Sequence, residues 1–277
     1  MTRSILITGC SSGIGLDAAR TLAARGWRVL ATCRQEADAA RLAQEGLESF
    51  ALDLADAGSV AEGAAEALAR TGGRLDALFN NGAYAIPGAV EDLPREALRA
   101  ILETNLLGQI DLTNRILPAM RAHGEGRVVM NSSVLGFAAL PWRGAYCASK
   151  FALEGITDAL RLELRGTGVA VVLIEPGPIR TPFRAKSIPH FEKWIDWRAS
   201  PHAPAYEATL LRRLYAPHGA RRDRFELPPA AVTEKLIRAL ESRRPAARYR
   251  VTTATHLMGA MTRILPTRWL DAVAARL

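Results

Sequence analysis

Six short apolar runs alternate with amphipathic stretches from the first residues onward, and a glycine-rich turn lies between the first run and the first such stretch. The runs at 4–8, 27–32, 49–54, 75–80, 127–132 and 169–174 read as buried strands of a parallel sheet. Between them, 13–25, 36–45, 57–70, 95–121 and 146–165 read as helices, the fourth kinking or ending near Leu117 because Pro118 follows. Such alternation leaves few options besides right-handed βαβ crossovers. The expected fold is therefore α/β, a doubly wound parallel sheet. The rhythm changes after residue 174. Residues 182–228 carry Phe183, Phe191, Trp194, Trp197, Tyr206, Tyr215 and Phe225 and read as a mostly helical, mobile lid over a substrate site. Pro228-Pro229 introduces a helix over 230–243, a last strand follows at 248–252, and 254–277 reads as a helical tail broken at Pro266. At 277 residues the chain fits one domain, 1–277, and is too short for two full domains with a linker.

The turn itself is Thr8-Gly9-Cys10-Ser11-Ser12-Gly13-Ile14-Gly15. Glycine suits a chain that turns tightly and must approach a pyrophosphate closely. The free N–H groups and positive dipole at the start of the next helix attract that phosphate. An acidic residue at the end of the second strand would accept hydrogen bonds from the ribose 2′-hydroxyl of NAD. This chain has Thr32-Cys33-Arg34 there instead. A guanidinium suits a 2′-phosphate, so the expected cofactor is NADP(H). Arg34 could also be an ordinary solvent-exposed loop arginine. Asp53, with Leu54 beside it, closes the third strand, where its carboxylate could accept the adenine amino group or cap the following helix.

Tyr146 and Lys150 stand four apart in a helical segment, on one face and a turn apart. A phenol normally titrates near pH ~10. A neighbouring cation favours the phenolate and lowers that value. The pair reads as a tuned acid/base suited to carbonyl reduction or alcohol oxidation. Ser133 lies thirteen residues upstream of the tyrosine.

Taken together, these residues resemble one family, the short-chain dehydrogenases/reductases, whose sheet is of Rossmann type. The match rests on the loop at 8–15, Asn80-Asn81, Asn105, Ser133, Tyr146-x-x-x-Lys150 and Pro176-Gly177-x-x-x-Thr181. The stretches 10–16 and 146–155 are most similar to the branch containing 17β-hydroxysteroid and retinol dehydrogenases. Those at 175–181 and 248–252 resemble bacterial aldehyde reductases of that branch. The resemblance implies that Tyr146 gives the proton to the carbonyl oxygen as hydride arrives. It implies that Lys150 binds the nicotinamide ribose and lowers the tyrosine pKa, helped by the positive nicotinamide. Ser133 would polarise the substrate oxygen, Asn105 would hold a water that relays protons to Lys150, and Ile179 and Thr181 would orient the carboxamide. Ser132 takes the serine role only if the register slips. One departure stands out: the family's Asn-Asn-Ala-Gly is here Asn80-Asn81-Gly82-Ala83, which puts a methyl group where close approach to the cofactor is usual. Either the loop is displaced or Gly82 absorbs the bend.

The expected activity is hydride transfer between NADP(H) and an apolar aldehyde, ketone, retinoid or steroid. A non-catalytic NADP(H)-sensing protein is the alternative, although such proteins commonly lack the tyrosine or lysine retained here. Cys10, Cys33 and Cys147 show no CxxC, and the five histidines show no ligand spacing, so neither a disulfide framework nor a metal is expected. Small buried residues explain the cysteines better than redox regulation does. Residues 1–180 carry 18 Lys+Arg against 20 Asp+Glu, whereas 181–277 carry 18 against 8, from totals of 36 and 28. A solvated, arginine-rich surface accounts for that asymmetry, and no motif supports nucleic-acid binding. The basic, apolar-faced tail could lie at a membrane surface, but docking on the domain body or a subunit is preferred. The start of the chain shows no signal-peptide pattern, so a cytoplasmic protein is expected. The long helices at 95–121 and 146–165 correspond to those through which relatives form homodimers or homotetramers.

Overall fold

The computed structural model describes residues 2–217 and 225–276. Met1, Leu277 and 218–224 of the expected lid, with His218, lie outside the described residues. Seven strands form one parallel sheet: β1 (Ser4–Ile7), β2 (Arg28–Cys33), β3 (Glu48–Ala51), β4 (Ala77–Asn80), β5 (Gly126–Asn131), β6 (Val169–Glu175) and β7 (Arg248–Arg250). Their order is β3-β2-β1-β4-β5-β6-β7. The winding reverses between β1 and β4, which opens a crevice at the carboxyl ends of those strands. This is the expected doubly wound sheet.

Alternation along the strands decides which layer each side chain enters. Ile5, Ile7, Val29 and Ala31 point into one core with Ala18 and Leu22 of α1 (Gly13–Ala24), Leu42 of α2 (Glu36–Gln44) and Leu236 of a late helix, Ala230–Glu241. Leu6, Leu30 and Leu78 enter the opposite core. There they meet Val60 of α3 (Ala57–Arg70), and Leu112 and Ile116 of a helix at Gly108–His123. Both faces of the sheet are covered, as a parallel sheet requires.

The fourth predicted helix is broken, but not where proline suggested. α4 (Arg95–Leu102) passes through a π-helical turn at Glu103–Leu107 into α5 (Gly108–His123), which continues through Pro118. Pro118 and Asn114 both face solvent, where water can satisfy the carbonyl that proline leaves unpaired. Gly124, at φ +70°, ends the helix in a left-handed cap. The π turn places Gly108 where a Cβ would stand 1.9 Å from the Leu54 carbonyl oxygen. A side chain there would force the helix off the sheet.

α6 (Gly144–Glu163) follows β5, and β6 leads into the lid. The described lid comprises α7 (Phe183–Trp194), α8 (Ala203–Ala205), a π turn at Tyr206–Leu210 and α9 (Leu211–Leu214). Phe191, Ile195, Tyr206, Leu210 and Leu214 pack it on Ile86, Ala97 and Ile101. The Tyr206 hydroxyl donates to Asp92 at 2.7 Å and accepts from the Ala89 N–H at 2.7 Å. Much of the aromatic content of this segment therefore fastens it to the body. α10 (Ala230–Glu241) leads to β7, and the tail folds as α11 (Thr253–Ile264) and α12 (Thr267–Ala274), separated at Pro266. Thr252 caps α11 by accepting from the Thr255 N–H at 3.3 Å.

Candidate active site

β1 ends where the crevice opens, and Thr8 anchors the glycine loop there. Its hydroxyl accepts the N–H groups of Asn81 and Gly82, each at 2.9 Å, tying the loop to the end of β4. The Asn81 amide donates back to the Thr8 carbonyl at 2.9 Å and accepts from the Asn131 amide at 2.9 Å. Gly9 and Gly13 have φ of +73° and +60°. Gly15 serves contact instead of conformation, since a Cβ there would stand 2.4 Å from the Gly9 carbonyl oxygen. Ile14 packs into the core and holds the start of α1 in place. Ser12 precedes α1, but its hydroxyl makes no capping bond to the helix. A Cβ on Gly13 would approach Thr181 Cγ2 to 3.1 Å, so the loop and the 176–181 segment face each other. The Pro176 carbonyl accepts the Val134 N–H at 2.7 Å, and Arg180 and Leu227 link Pro178–Arg180 to the stretch before α10. A Cβ on Gly177 would meet Thr252 Oγ1 at 2.1 Å, so the tail supports this segment from below. These glycines and open helix-start amides fit a dinucleotide lying between the two segments.

The Gly82-Ala83 inversion proves mild. The tight place belongs to Gly82, whose Cα stands 2.7 Å from the position of a Gly9 Cβ and whose own Cβ would stand 2.9 Å from Leu54 Cδ1. Its φ is not left-handed, so it absorbs contact and not a bend. The Gln109 amide donates to the Gly82 carbonyl at 2.8 Å and holds the segment in place.

Ser133 follows β5, and Tyr146 and Lys150 lie in the first two turns of α6. The Lys150 ammonium donates to the Asn131 carbonyl at 2.7 Å and lies 5.7 Å from the centre of the Tyr146 ring. The Ser133 hydroxyl accepts the Leu135 N–H at 3.1 Å and lies near enough to Tyr146 to favour its phenolate. Ser132 does not compete for that place, because its hydroxyl faces Gly136 and Glu154. Asn105 sits fully buried in the π turn. Its Oδ1 accepts the Tyr84 N–H at 3.0 Å, and its Nδ2 donates to the Tyr84 carbonyl at 2.9 Å and to Ser149 Oγ at 3.1 Å. Both amide protons are committed, and Oδ1 keeps one lone pair for a water.

The tuning expected of Tyr146 is not built into the protein alone. Burial raises the phenol above its ordinary value, the Ser133 hydroxyl opposes this, and Cys147 adds to the rise. The lysine does not overcome that desolvation. Burial instead lowers Lys150 itself to about 8, with the Glu154 carboxylate opposing.

At the nucleotide end, Arg34 is exposed; burial raises Tyr84 with the Arg34 charge opposing, whereas at His190 burial and the Arg34 charge both lower the imidazole. Asp53 does not cap a helix. Its Oδ1 accepts the Ala55 N–H at 2.9 Å, while Asp56 caps α3 by accepting from Ser59. β3 stops at Ala51, so Asp53 and Leu54 lie in the loop beyond it and not in the strand. All three cysteines are buried, and burial raises each thiol, Cys33 to about 11. This keeps them protonated at neutral pH, as small packing residues. Among the described residues no three His, Cys, Asp or Glu side chains assemble as a metal site. Among the same residues no helix is long and apolar enough to cross a membrane.

A family model for short chain dehydrogenases matches residues 3–191. The chain belongs to the short-chain dehydrogenase family. It is 40% identical over 273 residues to the uncharacterized oxidoreductase YbbO of Escherichia coli strain K12, covering 99% of this chain and 94% of that protein. It is 35% identical over 263 residues to human 17-beta-hydroxysteroid dehydrogenase type 1, covering 90% and 77%. Among solved structures, a variant of actinorhodin polyketide ketoreductase with NADPH superposes with a TM-score of 0.72 at 29% identity, covering 90% and 95%. Members of this family bind nicotinamide cofactors, and the chain is an oxidoreductase by kinship.

Several side chains of this short-chain dehydrogenase meet the site without having been singled out from sequence, Phe183 excepted, which was named among the aromatics of the lid. Lys186 of α7 donates to Ser12 Oγ at 2.7 Å and Ser11 Oγ at 3.1 Å. His190 stacks on Tyr84 with ring centres 4.1 Å apart, and Phe183 meets the Tyr146 ring edge-on at 5.6 Å. Asn131 and Gln109 hold the loop after β4. No local pattern marks these residues, because each acts across more than 20 positions of sequence. The one available hint was that Lys186 is among only four lysines in an arginine-dominated chain.

Proposed function

We propose that the protein is an NADP(H)-dependent oxidoreductase moving hydride between the nicotinamide and the carbonyl or alcohol carbon of an apolar aldehyde, ketone, retinoid or steroid. The convergence of Ser133, Tyr146 and Lys150 beside a glycine loop carries this reading. The cofactor, when bound, supplies the hydride donor or acceptor. Thr8, Gly9, Ser11, Ser12, Gly13, Ile14 and Gly15 would hold its phosphates, and Arg34 its 2′-phosphate. Asp53, Leu54, Asn81 and Gly82 would line its adenosine and ribose, with Pro176, Gly177, Ile179 and Thr181 at the carboxamide.

Burial keeps the Tyr146 phenol protonated, so the free site is poised to give a proton to a carbonyl oxygen. Ser133 donates to the same oxygen and favours the charge that develops there. Lys150 is still mostly cationic at neutral pH with a value of about 8, and can stabilise the phenolate that proton donation leaves. A water on Asn105 then restores the proton by way of Lys150. Phe183 beside Tyr146 gives the substrate carbonyl an apolar wall. The names of two similar proteins, a hydroxysteroid dehydrogenase and a ketoreductase crystallised with NADPH, support the same chemistry.

A panel of medium-chain aldehydes, retinal and ketosteroids tests the proposal by NADPH oxidation. At least one substrate should turn over, and Tyr146→Phe should lower kcat by about 10²–10⁴-fold while NADPH still binds. NADPH should exceed NADH in kcat/KM by at least about tenfold, a difference of about 1.4 kcal/mol. Absence of turnover across the panel would overturn the assignment.

A further inference from the structure

The ammonium of Lys186 touches two hydroxyls of the phosphate loop and no carboxylate among the described residues. It reaches them from α7, 174 and 175 positions away in sequence. An exposed ammonium with only neutral partners keeps most of its affinity for an anion. Its surroundings are cationic. Arg41 donates to the Ser11 carbonyl at 3.0 Å, and the charges of Arg41 and Lys186 both act to lower the Cys33 thiol at the end of β2. Arg34 follows Cys33 directly. The facing acidic groups belong to α2 and its end: Asp38 and Glu45 pair with Arg41 at 3.4 and 3.0 Å, and Glu45 also with Arg20. They leave Lys186 unneutralised.

The position of Lys186 is fixed from both ends of its helix. Phe183, three residues earlier, meets Tyr146, and His190, four residues later, stacks on Tyr84. Residues at this spacing share one helical face. One face of α7 thus spans the proposed catalytic tyrosine, the phosphate loop and the segment after β4.

We propose that Lys186 is a second cation for the adenosine 2′-phosphate, delivered by the lid instead of the nucleotide-binding half. It joins Arg34 and the Ser11 and Ser12 hydroxyls around that group. Ser12 is available for this because its hydroxyl does not cap α1. The same contact links cofactor choice to lid position, since α7 also carries Phe183 to Tyr146. The inference rests on the NADP(H) reading above.

Calorimetric titration of the full chain with 2′,5′-ADP and with 5′-AMP tests it, because the two probes differ only in the 2′-phosphate. Wild-type protein that binds both equally would sink the NADP(H) reading itself. Given a wild-type preference for 2′,5′-ADP, Lys186→Ala should weaken that ligand about tenfold, consistent with one charge-assisted hydrogen bond. It should leave 5′-AMP within about twofold, the spread expected of a side chain that does not touch that ligand. Lys186→Arg should keep most of the preference, and Lys186→Met, which retains the apolar stem, should behave as the alanine variant. Equal loss for both probes would overturn the proposal by assigning Lys186 to the 5′-phosphate or to loop integrity. A preserved preference in Lys186→Ala would overturn it outright while leaving the cofactor reading intact.

Discussion

Tyr146 shows how far a residue pattern can be trusted. Its spacing from Lys150 anticipated that the two side chains are neighbours, 5.7 Å from ammonium to ring centre, yet the direction of its pKa shift depended on burial, which no spacing encodes. Lys150 carries the same lesson with a measurable consequence. Its folded value of about 8 lies below the ordinary 10.5, so between pH 8 and 10.5 the unfolded chain holds more protons. Stability of the cofactor-free protein should gain a rising contribution across that window, and Lys150→Met should lose it. Denaturant midpoints of the two proteins at pH 7.5 and 9.5 check this, with wild type gaining on the variant as pH rises. Gly15 makes a sharper prediction. The Cβ of a Gly15→Ala variant would stand 2.4 Å from the Gly9 carbonyl oxygen and 2.6 Å from Asn81 Nδ2, so the loop must shift. A destabilisation of about 1–3 kcal/mol in urea is expected, together with a loss of NADPH affinity by fluorescence titration.

At the scale of elements, periodicity located every strand and the helices that flank the sheet, though not α7 within the lid or the break between α4 and α5, and element ends depended on packing invisible in one stretch of sequence. β3 stops at Ala51, before the predicted 54, because Leu54 turns aside to meet Gly82 and Gly108. The π turn before α5 likewise follows from Asn105 bonding to Tyr84, 21 residues away. The junction of α6, β6 and β7 holds a buried charge cluster that sequence did not flag. Arg248 is shared among Glu154 at 3.1 Å, Asp158 at 2.6 Å and Glu175 at 3.0 Å. Arg250 also pairs with Glu175 at 3.2 Å and Arg161 with Asp158, whereas Glu154 has Arg248 alone among the described residues. Burial dominates at Glu154 and raises it to about 7, with the Glu175 charge adding to the rise and Ser132 and Arg248 opposing. Between pH 4.5 and 7 the folded chain holds the extra proton, so wild-type stability should fall as pH rises through that window. Glu154→Gln removes the titration and should flatten that limb, by roughly 2–3 kcal/mol between pH 4.5 and 8. Urea unfolding at several pH values decides it. Parallel profiles for the two proteins would mean that the cluster remains ionised throughout.

At the scale of the whole molecule, topology brings distant motifs to one crevice: loop 8–15 from β1, Asn81 from β4, Ser133 from β5 and Thr181 beyond β6. Their order in sequence made the site legible, because a doubly wound sheet presents all its carboxyl ends on one edge. What covers the outer surface was less legible. Leu107, Phe151, Ile156 and Leu162 remain 40–61% exposed on the π turn and α6, whereas the sheet-facing side of the same helix is buried. Phe151 and Leu162 share one face of α6, and large apolar side chains exposed together are poorly placed in water. We expect this face to pair with its copy about a twofold axis, where a self-complementary patch closes on itself. The tail is the competing surface, since α12 buries none of its residues and Leu257, Ile264 and Trp269 are also largely exposed. The two surfaces are separable by experiment. Phe151→Glu with Leu162→Glu should convert a sedimenting dimer to monomer, because carboxylates would be desolvated in the interface. Trp269→Glu on α12 should leave the sedimentation coefficient unchanged. Dissociation by the α12 substitution alone would move the interface to the tail, and a wild-type monomer at micromolar concentration would remove it from both.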